Sequence, residues 1–241
     1  MTLISFVIPS YNESGNLKKL CDKLYRIISE HKSVEVIIIN NGSTDETNNI
    51  LNNHKIFKKK NFKLKNIKKN IGYGHGILTG IKASSGKIIA WFHADLQANP
   101  QDVLNAVLKY KYDLLNKKII VKGKRLNRSF FDNIFTFFMS KFANLVFDSC
   151  FEDINAQPKI FNKNILSKFN NPPNDFSLDL YLLLIAHLNN LNIIQFHIHW
   201  GSRFAGKAKG GGNLIGKFKL TYRSLKYIFK LKKKLNGNYN T

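Results

Sequence analysis

The sequence is short of acids, cysteines, prolines and long apolar runs, and each shortage excludes something. Its 241 residues hold 2 cysteines, Cys21 and Cys150, which lie far apart with no metal-ligand spacing and no disulfide framework, so a reducing compartment fits. With 15 glycines and 5 prolines the chain is neither fibrous nor disordered by composition. No uncharged apolar run approaches the ~20 residues that cross a bilayer. The N-terminus has no basic segment or small-residue cleavage site and reads as a first strand, not a signal peptide. No internal repeat is apparent. Acids number 15 against 38 Lys and Arg, a formal charge of +23. Such a field draws phosphates, anionic lipid or nucleic acid, or simply reflects lysines on a solvated surface.

What is present is an alternation of apolar runs and amphipathic stretches. Residues 5–9, 34–39 and 87–92 read as buried strands; residues 16–30, with Leu17, Leu20, Leu24 and Ile27 at helical spacing, residues 44–53 and residues 76–84 read as helices. Residues 55–69 combine a strand with a lysine-rich edge. Further on come a helix after Gln101, a strand at 119–122, an aromatic-rich stretch at 130–147, a helix at 178–188, a strand at 193–199 and a Gly- and Lys-rich loop at 201–212. Strand–helix alternation implies an α/β fold with a mostly parallel central sheet flanked by helices, and such sheets bind ligands at the carboxyl ends of their strands. Pro9, Asn40 and the 93–95 triplet all fall there. The expected organisation is one domain over 1–215 and a basic amphipathic C-terminal segment over 216–241.

Four segments occur in a telling order: Phe6-Val7-Ile8-Pro9-Ser10-Tyr11-Asn12-Glu13, then Asn40-Asn41-Gly42-Ser43-Thr44-Asp45-Glu46-Thr47, then Asn70-Ile71-Gly72 with Gly80, then His93-Ala94-Asp95-Leu96-Gln97 with Pro100. Together they resemble the inverting family 2 glycosyltransferases, most closely the dolichol-phosphate mannosyltransferase branch and its bacterial polyprenyl-phosphate relatives, over residues 4–210. The resemblance implies a GT-A nucleotide-diphospho-sugar transferase fold, a divalent metal and inversion at the anomeric carbon. It assigns the nucleotide-sugar donor to Pro9, Tyr11, Asn12, Glu13, Asn41 and Gly72, and the metal to Asp95 with His93 and Gln97. Asp95 is the hard oxygen ligand in this reading, and a metal beside a departing diphosphate neutralises its developing charge. The plain alternative for Asp95 is a turn before a helix.

Two departures from the family pattern matter. His93 stands where an acid is usual, which favours Mn2+ over Mg2+, since imidazole is the softer ligand. Asn40-Asn41 stands where two acids are usual; an amide offers one donor and one acceptor, matching the imide edge of uracil, so a UDP-sugar is favoured over a GDP-sugar. The alternative is a simple Asn-Gly turn.

In the second half, the basic run 122–128 resembles a segment that holds an acceptor phosphate, with Arg125 the main candidate and Arg128 the second. Asp153 is a candidate general base if the acceptor is a hydroxyl; a lipid phosphate needs none. The loop around Arg203 and Lys207 resembles a closing lid over the diphosphate. Phe131, Phe135, Phe138, Phe142 and Leu145 recur at helical spacing, either as core or as an interfacial helix, and residues 217–235 suit an anionic membrane surface. The expected protein is a cytoplasmic enzyme, peripheral on the inner face of the membrane, that glycosylates polyprenyl phosphate or a cell-surface glycan precursor. The competing class is a catalytically impaired relative that binds RNA or anionic membrane. No nucleic-acid motif accompanies the basic patches, so nucleic acid is not an expected partner.

Overall fold

The apolar runs pair as expected. The computed structural model describes residues 2–126, 130–201, 204–205 and 214–237. Its elements are β1 (Ile4–Ser10), α1 (Ser14–Ile28), β2 (Val34–Asn41), α2 (Thr47–Asn53), β3 (Phe62–Ile67), α3 (Tyr73–Ala83), β4 (Ile88–Trp91), α4 (Pro100–Lys109), α5 (Lys111–Leu115), β5 (Ile119–Leu126), α6 (Phe130–Phe147), β6 (Lys159–Asn162), α7 (Leu178–Leu188), β7 (Asn192–His199) and α8 (Leu214–Gly237). One seven-stranded sheet runs in the order β3-β2-β1-β4-β6-β5-β7. β1 lies parallel to β2 and β4, β2 to β3, and β5 to β7; β6 is antiparallel to both its neighbours.

β1, β2 and β4 are buried along their whole length because helices cover both faces, which is why they are continuous rather than alternating apolar runs. One face buries Leu17, Leu20, Leu24 and Ile28 of α1 with Val103, Leu104 and Val107 of α4. The other buries Ile77 and Ile81 of α3, Ala143 and Phe147 of α6, and Leu182 and Leu183 of α7. α3 sits especially close: a Cβ on Gly80 would lie 2.5 Å from both Ile39 Cδ1 and Val7 Cγ1. The C-terminal segment is helical from Leu214, and its Ile228 and Leu231 join this second core cluster. Among the described residues no helix is long and apolar enough to cross a membrane.

Several boundaries shift by two or three residues from the sequence expectation, and three differences have a clear physical reason. α3 begins at Tyr73, not 76, because the glycines around it hide the helical period. β5 continues to Leu126 because Lys124, Arg125 and Leu126 pair with β7, although their polarity breaks the apolar run. β6 was not expected: it is four residues long and opens on a buried lysine.

Candidate active site

Because β1, β2 and β4 are parallel neighbours, the turns that follow them open on one edge of the sheet, with Ser10 in register with Asn40. The first two turns are tied together. Asn12, held at φ 52, accepts from the Thr44 amide at 2.7 Å through Oδ1 and donates to Thr44 Oγ1 at 3.1 Å, while its backbone N–H donates to Ser43 Oγ at 3.0 Å. The Glu13 amide donates to Thr47 Oγ1 at 2.9 Å, and its carboxylate accepts from Asn16 Nδ2. Asn12 and Glu13 thus shape the edge by joining turns. Pro9 lies buried in β1 and Tyr11 is half-buried beyond it.

Asn41 is 3% exposed. Its Nδ2 donates to the Gly72 carbonyl at 3.0 Å and approaches Asn70 Oδ1 at 3.5 Å, while Oδ1 has no hydrogen-bond partner among the described residues. A carbonyl can only accept, so the Gly72 contact fixes the amide orientation. The donor-plus-acceptor match to uracil read from the sequence is therefore corrected: Asn41 has no spare donor, and its unpartnered Oδ1 is buried. Asn40 is occupied within the turn, accepting from the Ser43 amide and donating to Asn48 and Asn66.

Past β4, Asp95 is 3% exposed and accepts from the Gln97 amide at 3.1 Å, around Leu96 at φ 62. His93 stacks on Tyr73 with ring centroids 5.0 Å apart, and Tyr73 stacks on Phe176 at 4.6 Å. Gln157 donates to Tyr73 Oη and to Asp179, each at 2.8 Å, and Trp91 Nε1 also donates to Asp179. Burial, with Asp179 and Asp95 nearby, pushes the Tyr73 hydroxyl well above its ordinary range, so it stays neutral. Sequence reasoning missed Tyr73, Phe176, Gln157 and Trp91; the one available signal was that Tyr73 directly follows the Asn70-Ile71-Gly72 segment. Gln97 donates to the Gly201 carbonyl at 3.3 Å and accepts from its amide at 3.0 Å, which ties the Asp95 turn to the end of β7.

A stacked imidazole can still coordinate through its ring edge, so Asp95 and His93 can supply one hard oxygen and one nitrogen to an ion. Among the described residues there is no cluster of three or more His, Cys, Asp or Glu. This donor set fits an ion whose remaining ligands come from a diphosphate and water, not a closed protein cage.

In the acceptor half, Arg125 and Asp153 turn out to be partners. Arg125 Nε donates to Asp153 Oδ2 at 3.0 Å and Nη2 contacts Oδ1 in a bidentate ion pair, with the two side chains 12% and 13% exposed. The guanidinium also lies over the Trp200 ring, 5.2 Å from its centroid. An ion-paired carboxylate is poorly placed to take a proton from an alcohol, which corrects the separate roles expected for the two residues. Arg128, Arg203 and Lys207 lie outside the described residues.

Comparison with known proteins addresses the family and the fold. A dolichyl-phosphate beta-glucosyltransferase of Trichomonas vaginalis is 27% identical over 225 residues, which cover 86% of this chain and 66% of that protein. The dodecaprenyl-phosphate galacturonate synthase of Rhizobium johnstonii is 27% identical over 128 residues, 52% of this chain and 36% of that one. The chain thus spans just under two thirds of the first relative and about a third of the second. Both fall in the expected polyprenyl-phosphate branch, though neither is a mannosyltransferase. The fold matches glucosyl-3-phosphoglycerate synthase from Mycobacterium tuberculosis, crystallised with Mn2+, UDP and glucosyl-3-phosphoglycerate, with a TM-score of 0.72 and 16% identity over 96% of this chain and 80% of that one. The same synthase, crystallised with Mg2+ and UDP, matches with a TM-score of 0.70 and 17% identity over 93% of this chain and 77% of that one. The family described as Glycosyl transferase family 2 matches residues 5–140, more than half the chain and all of the strand-end motifs, so this protein is a family 2 glycosyltransferase of GT-A fold.

Proposed function

We propose that the protein transfers a sugar, with inversion, from a nucleotide-diphospho-sugar to polyprenyl phosphate. The observation that carries this choice of acceptor is the Arg125–Asp153 pair. A hydroxyl acceptor needs a base, and the carboxylate expected to serve is engaged; a lipid phosphate needs none, and the Arg125 guanidinium keeps N–H donors beyond the two that Asp153 takes, which a phosphate can share. The relatives that act on dolichyl and dodecaprenyl phosphate support the same class.

Asp95 and His93 would hold a divalent ion, whose chemistry is to neutralise the departing diphosphate. The imidazole favours Mn2+ over Mg2+. Tyr73 and Phe176 fix the His93 ring, and Gln97 ties the Asp95 turn to Gly201. UDP in the structural neighbour supports a uridine donor.

The protein works at an anionic membrane surface on the cytoplasmic side. α6 and α8 pack with Phe142 against Phe229 and leave Phe137, Phe138, Leu145, Tyr222 and Phe229 exposed. Lys141, Arg223, Lys226, Lys230, Lys232 and Lys233 are exposed on the same two helices, and α8 contains no acid. Exposed aliphatic and aromatic groups among lysines fit lipid tails beneath anionic headgroups.

The metal assignment is tested by calorimetric titration of UDP and GDP in Mn2+ and in Mg2+. UDP in Mn2+ should bind tightest, His93→Asp should narrow the gap between the metals, and Asp95→Ala should abolish the metal-dependent part. Equal, metal-independent binding by all three proteins would refute it and favour a non-catalytic descendant of the fold.

A further inference from the structure

Two lysines with no role in the reaction above are among the most deeply buried side chains of the molecule. Lys122 on β5 is 1% exposed and Lys159 on β6 is 0% exposed, and the two are cross-strand partners. Burying like charges side by side is costly unless something needs them there. Both reach the same loop. Lys122 Nζ donates to the Glu152 carbonyl at 2.7 Å; Lys159 Nζ donates to the Ile154 carbonyl at 2.8 Å and the Ala156 carbonyl at 2.6 Å. Three alternate carbonyls of one irregular segment are thus collected by two side chains from the sheet. Between the first two lies Asp153, held at φ 40, whose carboxylate meets Arg125.

We propose that Lys122 and Lys159 are positioning residues of the acceptor half, holding the 152–157 loop by its carbonyls and so setting where Asp153 presents Arg125 to an anionic acceptor. This rests on the reading of Arg125 as the phosphate-binding group. The two lysines differ in kind. Lys159 has acceptors for all three of its protons, the two carbonyls and the Asp179 carboxylate at 3.2 Å, and this arrangement needs an ammonium. Lys122 has one recorded acceptor among the described residues. The groups acting on it are Lys159 from β6, Arg125 from its own strand, and Asp153 and Glu152 from the loop; burial, then Lys159, bring it down to about 7. Lys122, Lys159, Arg125 and Lys124 against Asp153, Asp179 and Glu152, which Lys124 pairs, leave one cation in excess while Lys122 is charged, and an incoming phosphate balances it. The acceptor should therefore bind better on the acid side of about 7, where Lys122 is charged, and worse above it.

The test uses the full chain and Lys122→Met, which keeps the apolar stem and removes the ammonium. Hydrogen–deuterium exchange is followed over residues 151–158, with Michaelis constants for a short polyprenyl monophosphate and for the nucleotide-sugar measured across pH. In the variant, exchange over 151–158 should rise about tenfold, the loss of one hydrogen bond to a charged group, while β1 and β2 are unchanged. The wild-type KM for the lipid phosphate should rise with pH through about 7 and lose that dependence in Lys122→Met, with the nucleotide-sugar KM unaffected in both. If the variant does not fold, the wild type decides: exchange over 151–158, corrected for intrinsic rates, must rise between about pH 6 and 8. Unchanged exchange, or equal movement of both Michaelis constants, overturns the proposal. A wild type that transfers no sugar sinks the functional reading, and the exchange result still decides the role of the lysines.

Discussion

Arg125 and Asp153 show what removing one partner of a mostly buried pair should do. Arg125→Ala leaves a carboxylate 13% exposed without its guanidinium, which should cost about 3 kcal/mol of stability, and adding Asp153→Ala should recover much of that loss. Urea unfolding of the two single variants and the double variant measures it; additive losses would mean that the residues are not coupled. In the proposed reaction both single variants should weaken lipid-phosphate use and spare donor binding. At this scale the sequence was informative about strand-end residues and uninformative about partners. His93, Asp95 and Asn41 stand out because a polar residue closing an apolar run has few reasons to be there. That Arg125 meets Asp153, 28 residues away, or that Tyr73 lies between His93 and Phe176, depends on contacts no local pattern encodes.

Among the elements, Glu35 on β2 binds the floor of the sheet together. It is 2% exposed and accepts from Ser5 of β1 at 2.6 Å, Lys63 of β3 at 2.6 Å and Ser85 before β4 at 2.6 Å. Burial alone would raise its pKa, but these donors outweigh it and hold it at about 2. The folded value lies below the ordinary carboxylate value of 4.5, so the group's stabilisation is complete above about 4.5 and is lost as pH falls towards about 2. It amounts to about 3 kcal/mol at neutral pH, and Glu35→Gln should remove most of this acid-limb dependence in denaturation measured from pH 6 downward. α3 makes a second test: Gly80→Ala must push Val7 or Ile39 aside and should destabilise by about 1–3 kcal/mol, seen as a lower thermal midpoint with an unchanged circular dichroism spectrum. Helices and strands with an unbroken period, such as α1, β2 and α7, were legible in the sequence to within two residues at each end. β6 was not, because four residues opening on a lysine carry no period, and that lysine is buried only because the 152–157 loop supplies its acceptors.

Over the whole molecule, the charge of +23 has a specific place as well as a general one. Lys226, Lys230 and Lys233 are exposed on α8, while Ile228 and Leu231 hold that helix in the core. Reversing the three lysines to glutamate should thus weaken binding to anionic vesicles by roughly a hundredfold or more without changing the thermal midpoint, and raised salt should act in the same direction on the wild type. Truncation after Gly216 is the poorer test, since it also removes Ile228 and Leu231. Co-sedimentation with vesicles, and with RNA as the competing anion, distinguishes a membrane surface from a nucleic-acid one. The central claim is the reaction itself, and mass spectrometry of a short polyprenyl monophosphate incubated with Mn2+ and a panel of nucleotide-sugars tests it most directly. The lipid should gain one sugar mass from a uridine diphosphate donor with the wild type and none with Asp95→Ala; a lipid left unmodified by every donor under conditions where the folded protein binds vesicles would contradict the account.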